Sequence, residues 1–119
     1  MSRRHDVFHL PWPPSVNTYY RAIGGRNILS KNGREYPKKC KIAIGFYPHE
    51  PLAGRLVVLI DLFPPDRRKR DIDNHVKAIL DALTKCRIWK DDSQIDVLLV
   101  NRREVVKAGK AIVTVKEAK

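Results

Sequence analysis

Long apolar runs, cysteines and metal-binding Cys/His clusters are all scarce in this chain. No apolar run approaches the roughly 18 residues of a membrane helix, so we expect no membrane span. The two cysteines, Cys40 and Cys86, are too few for a disulfide scaffold and predict reduced thiols in a cytoplasmic protein. The four histidines share no spacing typical of zinc ligands. At 119 residues, the chain is expected to form one domain, residues 1–119.

Positive charge is the most informative feature of the composition. The chain carries 24 Lys and Arg residues against 13 Asp and Glu residues, a net charge of +11. Such an excess favours a polyanionic partner, nucleic acid above all. Seven aspartates nevertheless lie between positions 66 and 96. Because carboxylates repel phosphate, their presence in a basic protein suggests that a cation lies between them and the phosphate.

The hydrophobic pattern predicts an α/β (α+β) fold, in which a small mixed β-sheet of about four main strands is covered by two helices. Strands are expected at residues 7–10, 56–63, 95–100 and 111–115. Apolar residues at helical spacing predict a helix over residues 72–85, and Pro37 is expected to open a helix over residues 38–46. Asn32-Gly33 predicts a turn that can close a small hairpin. The free sheet face must be polar or buried against a second copy, which would make a homodimer.

Asp71 and Asp73 follow the second predicted strand and two prolines. Residues two apart share a face only in extended chain, so these carboxylates converge if the backbone is extended at Asp71 and becomes helical near Asp73. Spacing alone favours the alternative of a solvated helix N-terminus, where carboxylates are stabilised. Lys77 lies one helical turn after Asp73, and Asp81 one turn after Lys77. Asp81 is expected to pair with a lysine one turn away.

Carboxylates from different segments can hold one or two Mg²⁺ ions, and such ions can activate water for phosphodiester hydrolysis. Lys77 could neutralise charge on the reacting phosphate, although a simple helix pair with Asp81 is its alternative role. The basic run before Asp71 can contact backbone phosphates; its members are Arg67, Arg68, Lys69 and Arg70. Arg21 and Arg26 lie in a basic loop with aromatics, where DNA contact competes with loop packing as an explanation.

Two sequence blocks carry a resemblance to a known family. The first reads LPWPPSVN at residues 10–17 and is followed by Tyr19, Tyr20 and Arg21. The second reads DRRKRDIDN at residues 66–74 and is followed by Lys77, by DAL at 81–83 and by WKDD at 89–92. Together they resemble the RusA family of Holliday junction resolvases, small endodeoxyribonucleases of bacteria and their phages.

The resemblance implies a homodimer that cuts four-way DNA junctions by paired symmetric nicks in recombination and repair. It implies Mg²⁺ as cofactor, with Mn²⁺ as a substitute. The family's catalytic, metal-binding aspartates fall on Asp71, Asp73 and Asp92, and its functional lysine on Lys77. Arg70 matches a basic position linked with DNA binding. Asp91 is expected to be a bystander, and only the resemblance separates it from Asp92.

One departure from the family pattern concerns the turn before Asp92. The family usually has a small residue and a glycine there, and this chain has Cys86-Arg87. The turn that positions Asp92 is therefore expected to differ.

Two other functions compete with the nuclease. A non-catalytic DNA- or RNA-binding module would use the same basic residues, but its carboxylates would weaken phosphate binding. A structural dimer would use the carboxylates for salt bridges alone. Dependence on divalent ions discriminates between the nuclease and the binding module.

Overall fold

In the part of the chain that the structure describes, four strands form a mixed sheet, accompanied by a separate hairpin and three helices. A computed structural model describes residues 5–118. The strands are β1 (His5–Pro11), β2 (Tyr20–Ile23), β3 (Arg26–Leu29), β4 (Leu56–Phe63), β5 (Ile95–Arg102) and β6 (Lys110–Glu117). The helices are α1 (Val16–Tyr19), α2 (Lys31–Ile44) and α3 (Val76–Lys85), with 3₁₀ turns at Ile72–His75 and Asp92–Gln94. The predicted mixed α+β class, its four main strands and the helix that ends at Lys85 are confirmed.

The main sheet has the strand order β1-β6-β4-β5. The pairs β1–β6 and β6–β4 are antiparallel, whereas β4 and β5 are parallel and are joined through α3. Alternate residues of β4 are buried in the core beneath α2 and α3, as Leu56, Val58 and Ile60 illustrate. Because β4 and β5 are parallel, the segments that follow both strands emerge at the same edge of the sheet. That edge carries the basic run.

The prediction of a turn at Asn32-Gly33 is wrong. The hairpin turns instead at Gly24-Gly25, where both residues have positive φ. Ser30 caps α2 by accepting a hydrogen bond of 3.1 Å from the backbone N of Gly33, so the helix has already begun there. A Cβ at Gly33 would lie 2.5 Å from the carbonyl oxygen of Tyr19. This glycine therefore permits close packing of α1 on α2 rather than a turn.

The expectation that Pro37 opens the first long helix is also wrong. Helix α2 starts six residues earlier, at Lys31, and Pro37 lies in its interior. The missing N–H of a proline removes one helical hydrogen bond, so packing must hold this helix together. Pro37, Tyr36 and Cys40 are buried, and α2 packs against β1 and α3. The cap at Ser30 and this burial outweigh the local effect of the proline.

The turn after α3 does lack a glycine, and Arg87 adopts the left-handed conformation itself, with φ of 64°. An L-residue there is strained by about 1–2 kcal/mol. Neighbouring contacts hold the turn: Trp89 is fully buried, and its Nε1 donates a hydrogen bond of 2.6 Å to Thr84 Oγ1. The backbone thus makes a left-handed turn here without a glycine. Among residues 5–118, no helix is both long and apolar enough to cross a membrane.

Candidate functional site

The loop after β4 is held in shape by Asp66. Its Oδ1 accepts a hydrogen bond of 3.0 Å from the backbone N of Arg68 and lies 2.8 Å from Nη2 of Arg70. These two interactions, the first above all, hold the pKa of Asp66 below its usual value. Arg70 also donates to the carbonyl oxygens of Asp66 and Arg68, and its guanidinium lies 5.7 Å from the ring centre of Trp12. Arg70 therefore shapes the loop, in addition to its predicted DNA contact.

The other basic residues of the predicted DNA contact are exposed. Arg67, Arg68 and Lys69 project from the loop, and the side chain of Arg68 is 82% exposed. Arg21 and Arg26 lie on the β2–β3 hairpin, whose register places both arginines on one exposed face. Their contact with DNA stays a prediction, and their exposure leaves them accessible for it.

The backbone is extended at Asp71 and becomes helical near Asp73, as the convergence of their carboxylates requires. Asp71 is extended, with φ of −81° and ψ of 136°, and the 3₁₀ turn that carries Asp73 begins at the next residue. Both side chains are exposed. They face different concavities, however: Asp73 lines a depression with Lys77 and Asp92, whereas Asp71 lines the neighbouring cavity beside Trp12. We call the first the Asp73 depression and the second the Trp12 pocket.

Asp91 and Asp92 have different environments although they are adjacent. Asp91 caps the 3₁₀ turn: its Oδ2 accepts a hydrogen bond of 2.9 Å from the backbone N of Ser93, and Gln94 completes the capping box. Hydrogen bonding by Ser93 holds the pKa of Asp91 below its usual value. Asp92 is exposed and lines the Asp73 depression. The chain thus folds back along α3 far enough for Asp92 to share that depression.

Lys77 pairs with Asp81 one turn further along α3. Its Nζ lies 3.5 Å from Oδ2 of Asp81, and the same oxygen accepts a hydrogen bond of 2.7 Å from the hydroxyl of Tyr19. Partial burial lowers the pKa of Lys77, but Asp81 and Tyr20 raise it by more and leave it above its usual value. The expected pairing of Asp81 with Lys77 is confirmed. Lys77 is thereby a fixed cation beside Asp73 and Asp92.

The aspartates between positions 61 and 96 fall into two groups. Five of the eight have side-chain partners within residues 5–118: Asp61 with Asn101 and Arg103, Asp66 with Arg68 and Arg70, Asp81 with Tyr19 and Lys77, Asp91 with Ser93, and Asp96 with Arg55. Within the same residues, Asp71, Asp73 and Asp92 have neither a hydrogen bond nor an ion pair at their carboxylates. The three aspartates without a partner are the three predicted metal ligands.

The donor chemistry of these three carboxylates suits Mg²⁺, which prefers oxygen ligands. Within residues 5–118, no three His, Cys, Asp or Glu side chains are grouped closely enough to hold a metal ion by themselves. Mg²⁺ does not require such a cage, because it keeps several waters and is usually bound by one or two carboxylates together with substrate phosphate. Asp73 and Asp92, in one depression, meet that requirement more directly than Asp71 does.

His75 belongs to this site, although its sequence spacing gave it no role. Only 5% of it is exposed, and its Nδ1 donates a hydrogen bond of 3.1 Å to the carbonyl oxygen of Pro13. Its ring centre lies 4.7 Å from that of Trp12, and burial lowers its pKa. His75 thus ties the segment after β1 to the turn that carries Asp73. A signal was present: His75 falls at helical spacing on the buried stripe that continues with Ile79.

Comparison with known proteins identifies one family. Residues 11–116 match the family model described as Endodeoxyribonuclease RusA. A crossover junction endodeoxyribonuclease of Enterobacteria phage 82 is 41% identical over 115 residues, covering 94% of this chain and 96% of that protein. Proteins of the same name from Shigella sonnei strain Ss046 and Escherichia coli strain K12 are each 40% identical, covering 91% of both chains.

Proposed function

Because the chain belongs to the RusA family of endodeoxyribonucleases, we propose that it is a Mg²⁺-dependent endonuclease that resolves four-way DNA junctions by paired symmetric nicks. The observation that carries the proposal is the set of three aspartates without partners, Asp71, Asp73 and Asp92, on a protein with a net charge of +11. Unpaired carboxylates on a basic surface repel phosphate unless a cation lies between them. The position of Asp73 and Asp92 beside Lys77 favours hydrolysis over mere binding.

The chain's own residues divide the work. Arg67, Arg68 and Lys69 would hold backbone phosphates next to the depression, and this non-specific attraction would weaken as salt rises. Lys77, kept protonated by Asp81, would stabilise negative charge on the reacting phosphate. Mg²⁺, or Mn²⁺ in its place, would supply an activated water and stabilise the leaving oxygen when bound by Asp71, Asp73 and Asp92.

We further propose that two copies form the working unit. Strand β5 is an edge strand rich in apolar residues, yet Val97, Leu98 and Leu99 are 44%, 40% and 56% exposed. The β4–β5 register places Val97 and Leu99 on the sheet face opposite the helices. An apolar patch of this kind is typical of an interface, and a second copy would cover it. A two-fold dimer would present two sites to two opposed strands of a junction.

The decisive assay is cleavage of an end-labelled four-way junction beside a linear duplex of the same sequence, each with Mg²⁺ and with EDTA. Paired nicks in the junction alone, and only with Mg²⁺, are expected. An intact junction in every lane, with a mobility shift that ignores EDTA, would replace the nuclease by the alternative, a non-catalytic DNA- or RNA-binding module.

The dimer is tested by sedimentation of the wild type and of Leu99→Lys, with Val7→Lys as control. Val7 is equally apolar and is 51% exposed, but it lies on the opposite edge strand, β1. Leu99→Lys is expected to shift the mass to one chain, whereas Val7→Lys keeps two. A wild type that sediments as one chain at micromolar concentration would overturn the proposal.

A further inference from the structure

The Trp12 pocket lies outside the carboxyl ends of the two parallel strands. One wall follows β4, at Pro64 and Asp66, and the other follows β5, from Arg102 to Val105. Crevices at the carboxyl ends of parallel strands are the usual ligand sites of open α/β sheets. Asp71, Arg67 and Arg68, whose roles are proposed above, lie at the rim of this pocket, but the chemistry assigned to Lys77 and Asp92 in the Asp73 depression gives no role to its apolar interior.

The pocket combines an apolar interior with a basic rim. Buried Leu62, Pro64 and His75 line it, and Ile72 and Val105 line it with side chains 37% and 43% exposed. Charged residues also line it: five arginines, Arg67, Arg68, Arg70, Arg102 and Arg103, and three acidic residues, Asp66, Asp71 and Glu104. Asp66 pairs with Arg68 and Arg70, and Glu104 with Arg103, so the rim keeps an excess of positive charge. Apolar walls with an excess of guanidinium groups at the rim suit a planar, uncharged heterocycle attached to an anionic backbone.

The size of the pocket limits its occupant. Its volume is about 230 Å³. Pockets for drug-sized ligands hold roughly 300–1,000 Å³, so this one suits a single ring system rather than a base pair or a dinucleotide. The loop geometry gives the walls a defined shape: Gly109 passes so close to Trp12 that a Cβ on it would lie 3.0 Å from the indole. Arg102 donates a hydrogen bond of 2.6 Å to the carbonyl oxygen of Arg70 and so joins the two walls.

We propose that the Trp12 pocket receives one unstacked nucleobase of the junction strand, from a nucleotide next to the bond that is cut. This inference rests on the proposed nuclease function. Asp71 connects the two places, because it lines the pocket and lies two residues before Asp73. A phosphate at the Asp73 depression would therefore leave a neighbouring base within reach of the pocket. Unpairing is easiest at a crossover, where stacking is already interrupted, so the pocket would favour branched over linear DNA.

The first test measures base unstacking without altering the pocket. 2-Aminopurine is placed in turn at each nucleotide around the crossover, and its fluorescence is followed on binding to the Asp73→Asn variant, which is expected to bind without cutting. A rise confined to one nucleotide per cleaved strand is the expected result. No change at any position, for a protein whose wild type cuts the same junctions, would overturn the pocket while leaving the nuclease intact.

The second test couples the pocket to that base. Val105→Trp would fill the pocket, and Val7→Trp is the matched control, because Val7 is similarly exposed on the distant strand β1. Junctions with a single abasic nucleotide are cut by each protein. One abasic position should slow the wild type and Val7→Trp by roughly tenfold, within the range for stacking of one base. Val105→Trp should cut the intact junction about tenfold more slowly than the wild type does. Its rate on the abasic junction should then be less than about twofold below its own rate on the intact junction.

The outcomes separate the two hypotheses. If Val105→Trp keeps the full abasic effect of the wild type, the base does not enter this pocket and the inference is wrong. If the wild type cuts no junction at all, the nuclease proposal itself fails. Thermal unfolding of Val105→Trp and Val7→Trp checks that both variants are folded. The fluorescence test uses neither variant, so the absence of unstacking at every position would overturn the inference even if Val105→Trp does not fold.

Discussion

The partnered and the partnerless aspartates of this protein lie within the same 36 residues and carry the same charge, yet the fold surrounds them differently. Asp91 organises a turn, and Asp81 holds a lysine. Asp73 and Asp92 organise nothing within residues 5–118 and point their charge at solvent beside Lys77. The difference teaches that an acidic residue on a basic protein becomes a candidate for chemistry when the fold gives its charge no structural use.

The largest expected effect comes from a partnerless residue. Asp73→Asn should lower the rate of junction cleavage by about a thousandfold or more, because a metal site worth several kcal/mol of charge stabilisation is lost. Binding should be unchanged or tighter, since one charge that repels phosphate is removed. Single-turnover cleavage and a gel-shift titration measure the two quantities. A variant that loses binding and folding together would assign Asp73 to the structural group.

Asp81→Asn should have an intermediate effect, because Asp81 acts through Lys77. We expect cleavage to fall about tenfold, as for other residues that support a functional side chain. Asp81 raises the pKa of Lys77, so the wild type keeps the ammonium charged until a higher pH than the variant does. The alkaline decline of the rate should therefore begin at a lower pH in Asp81→Asn. An unchanged pH profile would mean that the pair is purely structural.

Asp91→Ala should affect stability and spare chemistry. Loss of an N-cap typically destabilises a protein by about 0.5–2 kcal/mol, measurable by urea unfolding. Cleavage per folded molecule should stay within about twofold of the wild type. Its neighbour supplies the matched control, because Asp92→Ala should show the reverse: near-normal stability and no cleavage. Equal effects of the two substitutions would remove the distinction between them.

Asp96→Asn should have the smallest effect. Asp96 pairs with Arg55, whose Nε lies 2.9 Å away, but both side chains are about half exposed. Exposed ion pairs contribute about 0–1 kcal/mol, so neither stability nor cleavage should change appreciably. A loss of cleavage here would show that removal of any carboxylate from this half of the chain disturbs the site.

Much of the fold was predictable because its strands are short runs of apolar and β-branched residues, of which residues 56–63 are the clearest case. The errors came from contacts distant in sequence. Gly33 suggested a turn, but it is required because the carbonyl of Tyr19 passes close to it. Pro37 suggested a helix start, but burial and the cap at Ser30 hold the helix across it. A local sequence pattern does not show which residues, distant in sequence, will pack against it.

The site was predictable in its members more than in its arrangement. The resemblance to the RusA family, more than spacing, singled out Asp73 and Lys77, and the structure places both at one depression with Asp92. The Trp12 pocket could not be foreseen, because its walls come from loops some 35 residues apart at the ends of two parallel strands. For His75 the helical spacing indicated burial, but it could not identify the partner Pro13, which lies 62 residues away.

Because the edge of β5 is exposed, the stability and activity of this protein should depend on its concentration. An apolar edge strand has unpaired backbone groups that can bind another strand. In the proposed scheme, a single chain is therefore prone to aggregate until it binds a second copy. Unfolding would then be linked to association, and the melting temperature should rise with protein concentration. Activity per chain should likewise collapse on dilution below the dimer dissociation constant. The amount of protein made would thereby set whether any strand is cut.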